Sequence, residues 1–308
     1  MRNAFALEIT ARAACDERVV MLSGDIGNRL FDQVKDLCPQ RFHNCGVAEA
    51  NMIGVAAGLA ISGLRPVAYT ITPFITTRCL EQIKLDICAH NLPVVLAGVG
   101  AGLSYASLGS THHSLEDLAI LRVLPNLIVV APADAVEARL ALRAALAQDS
   151  PVYLRLGKKG EPLMHKTAPD FALGRGITLR QGRDACLVAT GTVTACCVKA
   201  AELLAERGVE ASVVDMHTVK PLDGPLLGQC FATHPLVVTV EEHWLAGGFG
   251  SAVAEWKIDG NIGGGRLKRL GVPDTFLHRT GGQGNARKLV GLDPEGIAAL
   301  VLAELGRS

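Results

Sequence analysis

Aromatic residues are scarce in this chain. Phenylalanine, tyrosine and tryptophan make up 4% of its 308 residues, so a ring placed at the end of a strand is worth weighing. No charge of either sign is in excess: 30 basic residues balance 30 acidic ones. Without a basic block, a nucleic-acid or anionic-membrane surface is not expected. No stretch approaches the roughly 20 apolar residues that a membrane span needs. The first 20 residues carry Glu8 and Asp16 and no long apolar core, so they do not read as a signal peptide. The nine cysteines are dispersed and none forms C-x-x-C. They read as reduced, mostly buried thiols of a cytoplasmic protein, with no paired zinc spacing. Also missing are the phosphate-cradling G-x-x-x-x-G-K-[ST] loop, a strand–G-x-G-x-x-G–helix unit, a Ser or Cys triad signature and any repeat of short period.

Apolar residues, at 49%, are ample for real cores, and the length suits two domains. In the first half, short apolar runs alternate with helical patterns. Strands are expected at Val19–Ser23, Arg41–Cys45, Pro66–Thr70, Pro93–Val99, Leu127–Val130 and Val152–Leu156. Helices are expected at Phe31–Leu37, Glu49–Ser62, Phe74–His90, Leu115–Leu121 and Ala133–Ala147. The polar, proline-containing stretch that follows reads as a linker. A second alternating pattern then runs to a closing helix at Pro294–Leu305. The fold class is therefore α/β, as two consecutive domains, each a mostly parallel sheet flanked by helices. The expected bounds are 1–157, a linker at 158–173, and 174–308. Sheets of this kind bind ligands at the carboxyl ends of their strands. Asp25 and the loop Gly98–His113 both follow strands and belong to that edge.

The stretch RFHNCGVAEANMIGVAAGL, Arg41–Leu59, puts one carboxylate, Glu49, in the first turn of an otherwise small and apolar helix. Acids are favoured there by the free N–H groups and the dipole. Glu49 is thus either a helix-start residue or a chemical group kept out of water. Ala50, Gly54 and Gly58 recur at steps of four and share a face. Each interior glycine costs roughly 0.5–1 kcal/mol relative to alanine. That expense implies another backbone close by, so the helix reads as buried nearly all round, at a domain or subunit contact. The Gly98–His113 loop is long enough to be functional. It ends in His112 and His113, either a surface pair or an imidazole placed for proton transfer or an oxyanion contact. Phe74, at a strand–helix edge, is either core or a binding face. Arg155, at a strand end, either pairs with an anionic substrate or bridges to the linker.

Several segments carry a resemblance in the same order and spacing: RFHNCGVAEANMIGVAAGLAISGLRPVAY, LEQIKLDICAHNLPVVLAGVGAGL, GSTHHSLEDLAILRVLPNLIVVAPADAVE, PVYLRLGK, VVDMHTVKPLD and VVTVEEHWLAGGFGSAVAE. Over almost its whole length the chain resembles the C-terminal half of transketolase. In style it is similar to split transketolases, in which two polypeptides share one enzyme. 1-Deoxyxylulose-5-phosphate synthase and the beta subunits of 2-oxoacid dehydrogenases share the module. The resemblance implies a pyrimidine-binding domain followed by a transketolase C-terminal domain. It also implies thiamine diphosphate with Mg²⁺, both held mainly by a partner.

The family's G-D-G motif with its following asparagine, which holds metal and diphosphate, is absent. No metal ligand is therefore assigned to this chain. An N-terminal transketolase subunit carrying that module is implied, in a two-fold assembly that makes a heterotetramer. The chain alone should be inactive. By position, Glu49 matches the acid that hydrogen-bonds the aminopyrimidine nitrogen, and Phe74 the aromatic on the pyrimidine face. Asp25 matches an acid near the cofactor, His112 a histidine that contacts substrate and intermediate, and Arg155 a substrate-phosphate arginine. His113 is placed with the substrate residues beside it.

Departures lie in the shell that reads the sugar. Leu108 stands where the family has an acid, and Gly100 where it has a phosphate-contacting histidine. Arg29 replaces a phosphate-binding serine and supplies an anion site by a different donor. Ile71 and Thr77 replace aromatics of the pyrimidine pocket. The expectation is two-carbon ketol transfer from a ketose to an aldehyde, on a small, non-standard sugar. The alternatives are acyloin or 1-deoxyketose synthesis from a 2-oxoacid, a dehydrogenase beta subunit, or a non-catalytic stabilising subunit.

Overall fold

The computed structural model describes residues 1–307 apart from 28 and 279. The chain forms two compact units, Met1–Ala101 with Ile120–Leu173, and Gly102–Ala119 with Gly174–Ser308.

In the first unit the strands are β1 (Val19–Ser23), β2 (Phe42–Asn44), β3 (Arg65–Ile71), β4 (Val95–Val99), β5 (Ile128–Val130) and β6 (Val152–Leu156). They run in the order β5-β6-β4-β3-β1-β2, every pair parallel. Strands β1, β4 and β6 are buried along their whole length, which is why they read as unbroken apolar runs rather than alternating ones.

One face packs on the helices Arg2–Cys15 and Ala135–Leu146. Four of the chain's few rings meet there. Tyr69 stacks on Phe5 at 5.3 Å between centroids and meets the edge of Phe31 at 4.9 Å. Phe42 lies 6.0 Å from Phe31. The helix Arg2–Cys15 escapes the sequence pattern because its buried face includes an acid, Glu8. Glu8 is bridged by Arg12, Arg139 and Arg143 at 3.1, 3.3 and 3.0 Å. Burial alone would push this carboxyl up, but the guanidinium of Arg143, with Arg139 and Arg12, outweighs it and holds Glu8 below its ordinary value.

Two of the expected helices also differ from expectation. The helix anticipated at Phe74–His90 is a short helix Thr72–Ile75, a break, and then Leu80–Gln82 running into a π-helical turn at Ile83–Cys88. The helix Glu49–Ile61 is not buried all round. Its inner face, Met52, Ile53, Ala56, Ala57 and Ala60, is buried. Gly54 and Gly58 are exposed, with nothing within 4 Å of where a Cβ would stand. Among the described residues no backbone uses the room those glycines leave.

The stretch expected to be a linker, 158–173, belongs to the first unit. The Asp134 carboxylate accepts from the Met164 and His165 amides at 2.7 and 3.3 Å, and His165 Nε2 meets buried Glu137 at 2.5 Å. The Glu137 hydrogen bond raises the imidazole above its ordinary 6.5, against the opposing effect of burial. A raised folded value means that the contact stabilises fully below the unfolded value and is lost as pH rises through the folded one. Amide exchange at 163–165 is therefore expected to accelerate, beyond the intrinsic base-catalysed rise, as pH climbs above 6.5. His165→Ala is expected to abolish that extra step.

The second unit holds β7 (Ile177–Arg180), β8 (Ala185–Thr190), β9 (Ala211–Asp215), β10 (Thr218–Lys220), β11 (Leu236–Trp244) and β12 (Arg266–Val272). Its sheet runs β12-β11-β8-β9-β7, parallel except where β7 meets β9. Its core includes Leu103, Ala106 and Leu115 beside residues of β8, β9 and β11. The segment that carries the histidine pair thus packs with this unit and not with the first, where the boundary at 157 would place it. Among the described residues no helix is long and apolar enough to cross a membrane.

Candidate active site

Strand alternation sets the site in the first unit. In β3, Val67 and Tyr69 face the aromatic core, which turns Thr70 to the opposite face, where the helix Glu49–Ile61 packs. Glu49 is the first residue of that helix, and Ala48 before it gives no side-chain cap. The Glu49 side chain is 2% exposed. Thr70 Oγ1 donates to its Oε1 at 3.5 Å, and Arg78 Nη1 donates to its Oε2 at 2.6 Å.

Gly24 closes the same corner. A Cβ there would stand 2.9 Å from Thr70 Oγ1 and 3.4 Å from Glu49 Cγ, so any side chain at this position would crowd the Thr70 hydroxyl that meets Glu49. The Glu49 charge is felt next door. Burial first, and then that charge, push the Cys79 thiol up to about 12.

Around this corner the sheet edge supplies the other expected residues. Ile71, half-buried, ends β3 and precedes the helix Thr72–Ile75, which Pro73 starts. Phe74 is half-buried, and the Arg78 guanidinium lies over its ring at 4.4 Å. Thr72 Oγ1 is buried with no hydrogen-bond partner. Asp25 follows β1 with φ of 57°, a conformation that aspartate tolerates better than most residues. Its exposed carboxylate accepts from Asn44 Nδ2 at 2.8 Å.

Of three further expected residues, one is exposed and two are buried. Arg29 is exposed, with φ of 63°, and lines a shallow hollow with Arg2, Asn3 and Gln33. Arg155 is 4% exposed, because β6 is flanked by β4 and β5; the exposed arginine anticipated from its place at a strand end is not observed. His113 also turns inward. It is buried, with Nε2 donating to the Ala106 carbonyl at 3.1 Å, which makes it a staple of its loop.

His112, in the second unit, is half-buried. Its Nδ1 pairs with Thr111 Oγ1 at 2.9 Å and its ring meets Tyr105 at 6.0 Å. Burial and then neighbouring His113 push its proton affinity down, so the ring is neutral near neutral pH and has one nitrogen to accept a proton.

Sequence reasoning missed Arg78, Thr70 and Gly24. Arg78 lay inside an expected continuous helix, where it reads as a surface cation. Only the break after Ile75 brings it to Glu49.

The family model of the transketolase pyrimidine-binding domain matches residues 1–161. That of the transketolase C-terminal domain matches residues 174–297. The chain belongs to the transketolase family. A 1-deoxy-D-xylulose-5-phosphate synthase 1 from Geobacter sulfurreducens is 39% identical over 94% of this chain, but the match covers only 46% of that enzyme. The chain therefore spans about half the length of the synthase relatives. The B-type subunit of the apulose-4-phosphate transketolase from Actinobacillus succinogenes is 37% identical, covering 86% of this chain and 85% of that protein. A solved structure of a split-gene transketolase, described as an inactive beta4 tetramer, aligns with a TM-score of 0.88 at 36% identity. That alignment covers 99% of this chain and 97% of that one. This member of the transketolase family thus spans nearly the whole of the split-gene structure and about half of the synthase.

Proposed function

We propose that the chain is the C-terminal subunit of a split, thiamine-diphosphate-dependent transketolase-like enzyme, which moves a two-carbon ketol unit from a ketose to an aldehyde. The observation that carries this reading is the buried Glu49 carboxylate at the Gly24–Thr70 corner, with the Phe74 ring reached by the same Arg78 guanidinium. A carboxylate shielded from water can share a proton with a ring nitrogen, a flat ring needs an aromatic face, and the missing Cβ at Gly24 leaves the Thr70 hydroxyl uncrowded. These residues fit an aminopyrimidine. When bound, thiamine diphosphate supplies the nucleophilic carbon and the electron sink.

This chain's part is positional and protonic. Glu49 holds the proton at the pyrimidine nitrogen, and Phe74 orients the ring. Arg78 now engages both groups, so its guanidinium must give way. Asp25 and Ile71 border the same strand ends. His112 and Arg29 are the substrate-side candidates. Arg155 and His113, both buried, are not offered to a ligand directly. Mg²⁺ and the diphosphate fall to an N-terminal partner subunit, in a heterotetramer in the cytoplasm. The exposed glycine face of the helix Glu49–Ile61 is part of that contact. In sequence the two modules run 1–157 and 174–308, while in packing 158–173 joins the first compact unit and Gly102–Ala119 the second.

With Leu108 and Gly100 in place of the sugar-reading residues, the substrate is not an ordinary pentose phosphate. The apulose-4-phosphate transketolase relatives put apulose 4-phosphate first among donors to try. The identity to the synthases favours a second reading, 1-deoxyketose formation from a 2-oxoacid. The test mixes the purified chain with a partner carrying the diphosphate module, thiamine diphosphate and Mg²⁺, and offers ketose and 2-oxoacid donors. Ketol transfer by the mixture, and by neither chain alone, is the expected result. Carbon dioxide release from a 2-oxoacid selects the second reading. Turnover by this chain alone would end the split-enzyme proposal.

A further inference from the structure

The segment Val238–His243, VTVEEH, has no role in the site described so far, yet it holds buried charge. β11 pairs with β8 only as far as Glu241 opposite Thr190, and beyond that point it keeps only β12 as a strand neighbour, at Trp244 opposite Val272. There its residues take hold of the histidine loop. The Glu242 carboxylate, 1% exposed, accepts from the Leu103 amide at 2.6 Å. His243 Nε2 accepts from the Ala119 amide at 3.3 Å, and the Trp244 amide donates to Leu115 O at 2.9 Å. Three consecutive residues thus grip both ends of the loop.

The first of these grips is a built site. Gln283 Nε2 donates to Glu242 at 2.9 and 3.2 Å, and also to Ser104 Oγ at 3.3 Å. Arg287 Nε donates to Glu242 Oε2, while Arg287 Nη2 is fixed on Thr192 Oγ1 at 2.7 Å. A buried carboxylate is tolerated only when it is paired and its lone pairs are filled, and here both conditions hold. The backbone is shaped to reach it. Gly102 has φ of 62°, and a Cβ there would fall 2.5 Å from Glu242 Oε1. Gly102 is also bridged to Ser114 in both directions at 3.0 Å. The loop is thereby closed into a ring whose base is Gly102–Ser114. Inside it, Ala106 O accepts from His113 Nε2 and from Thr280 Oγ1 at 2.6 Å. His112 is the residue just ahead of this staple.

We propose that Glu242 is a positioning residue for the histidine loop: by fixing the backbone at Leu103 and Gly102 it sets where His112 is presented. The second unit then has a task in the reaction, which is to hold the residue that reads the substrate. This rests on the reading of His112 as a substrate contact. The Glu242 carboxylate is taken up by the Leu103 amide, Gln283 and Arg287. It acts through a backbone amide, so its loss lets the loop sample other positions and leaves the Glu49 corner as it was.

Hydrogen exchange on the purified chain, followed by kinetics on the enzyme assembled with its partner, tests this. Glu242→Ala is expected to speed exchange at the Leu103 and Ser114 amides by about tenfold or more, the loss of one well-made buried hydrogen bond. The β8 and β9 amides are the control for global unfolding. Gln283→Ala, which leaves the charge pair intact, is expected to act in the same direction more weakly, and it carries the comparison if Glu242→Ala does not fold. In the assembled enzyme, Glu242→Ala is expected to raise the donor KM and lower kcat together by about tenfold, with cofactor affinity unchanged. It is expected to add nothing in a His112→Ala background. Unchanged exchange at Leu103 overturns the proposal whatever turnover does, and so do additive losses in the double variant. If instead His112→Ala keeps full turnover while the loop amides loosen in Glu242→Ala, the substrate reading of His112 is what fails, and the proposal falls with it.

Discussion

Glu49→Gln is expected to cut turnover of the assembled enzyme by about 10²–10⁴-fold, the usual size of a lost proton-transfer group, while the chain stays folded. Glutamine has the same shape and can still accept from Thr70, which lies 3.5 Å from Oε1. What an amide cannot do is hold and release a proton at a ring nitrogen. The fold is spared because Arg78, the charged partner of Glu49, has a side chain that is 45% exposed and returns to water when the pair is lost. Breaking an ion pair is severe chiefly when the surviving charge stays buried. Turnover and cofactor affinity are measured together, the latter by calorimetry on the assembled enzyme. Retained turnover with cofactor bound would show that Glu49 is only a helix-start residue, and the proposed function would lose its main support.

The largest structural loss is expected at Phe31. Phe31→Ala should destabilise the first unit by about 3–5 kcal/mol, the range for deleting a buried aromatic ring. Phe31 is fully buried and sits among Phe5, Phe42 and Tyr69, with centroids 6.5, 6.0 and 4.9 Å away. No fourth neighbour can fill the hole, because the rings around it already set each other's positions. Tyr69 is the residue before Thr70, so the cavity would also loosen the strand that carries Glu49's hydrogen-bond donor. Phe276→Ala is the control, since Phe276 is 63% exposed and should cost little. Urea unfolding followed by far-UV circular dichroism reads both. A loss under about 1 kcal/mol at Phe31 would contradict the packing described, since even modest core truncations exceed that.

Much of the strand framework was legible. β1 and β6 fall where the apolar runs predict, and β4 differs from expectation only at its start. Such strands are buried on both faces, so composition alone marks them. The helix Arg2–Cys15 was not legible, because an acid sits on its buried face and is made tolerable by Arg139 and Arg143, both more than 130 positions away. The break after Ile75 was not legible either, since nothing in Thr76–Cys79 forbids a helix. Glu49 was legible as a single acid opening an apolar helix, and Asp25, Ile71 and Phe74 as residues following strands. Arg78, Gly24 and Thr70 were not, since each gains its meaning only from what it touches.

The same division runs through the whole protein. By itself the sequence determined the α/β class, the positions of most strands and the single acid that opens an apolar helix, because these depend on local polarity and periodicity. It left the histidine loop with its neighbours in sequence and read 158–173 as a free connection. Only the tertiary structure decided that Gly102–Ala119 packs with the second unit, that Glu242 meets the Leu103 amide 139 positions away, and that Asp134 and Glu137 hold residues 164 and 165. The physical reason is the same in each case. A buried carboxylate must find donors, and those donors are chosen by the way the chain is folded back on itself, not by the residues beside it.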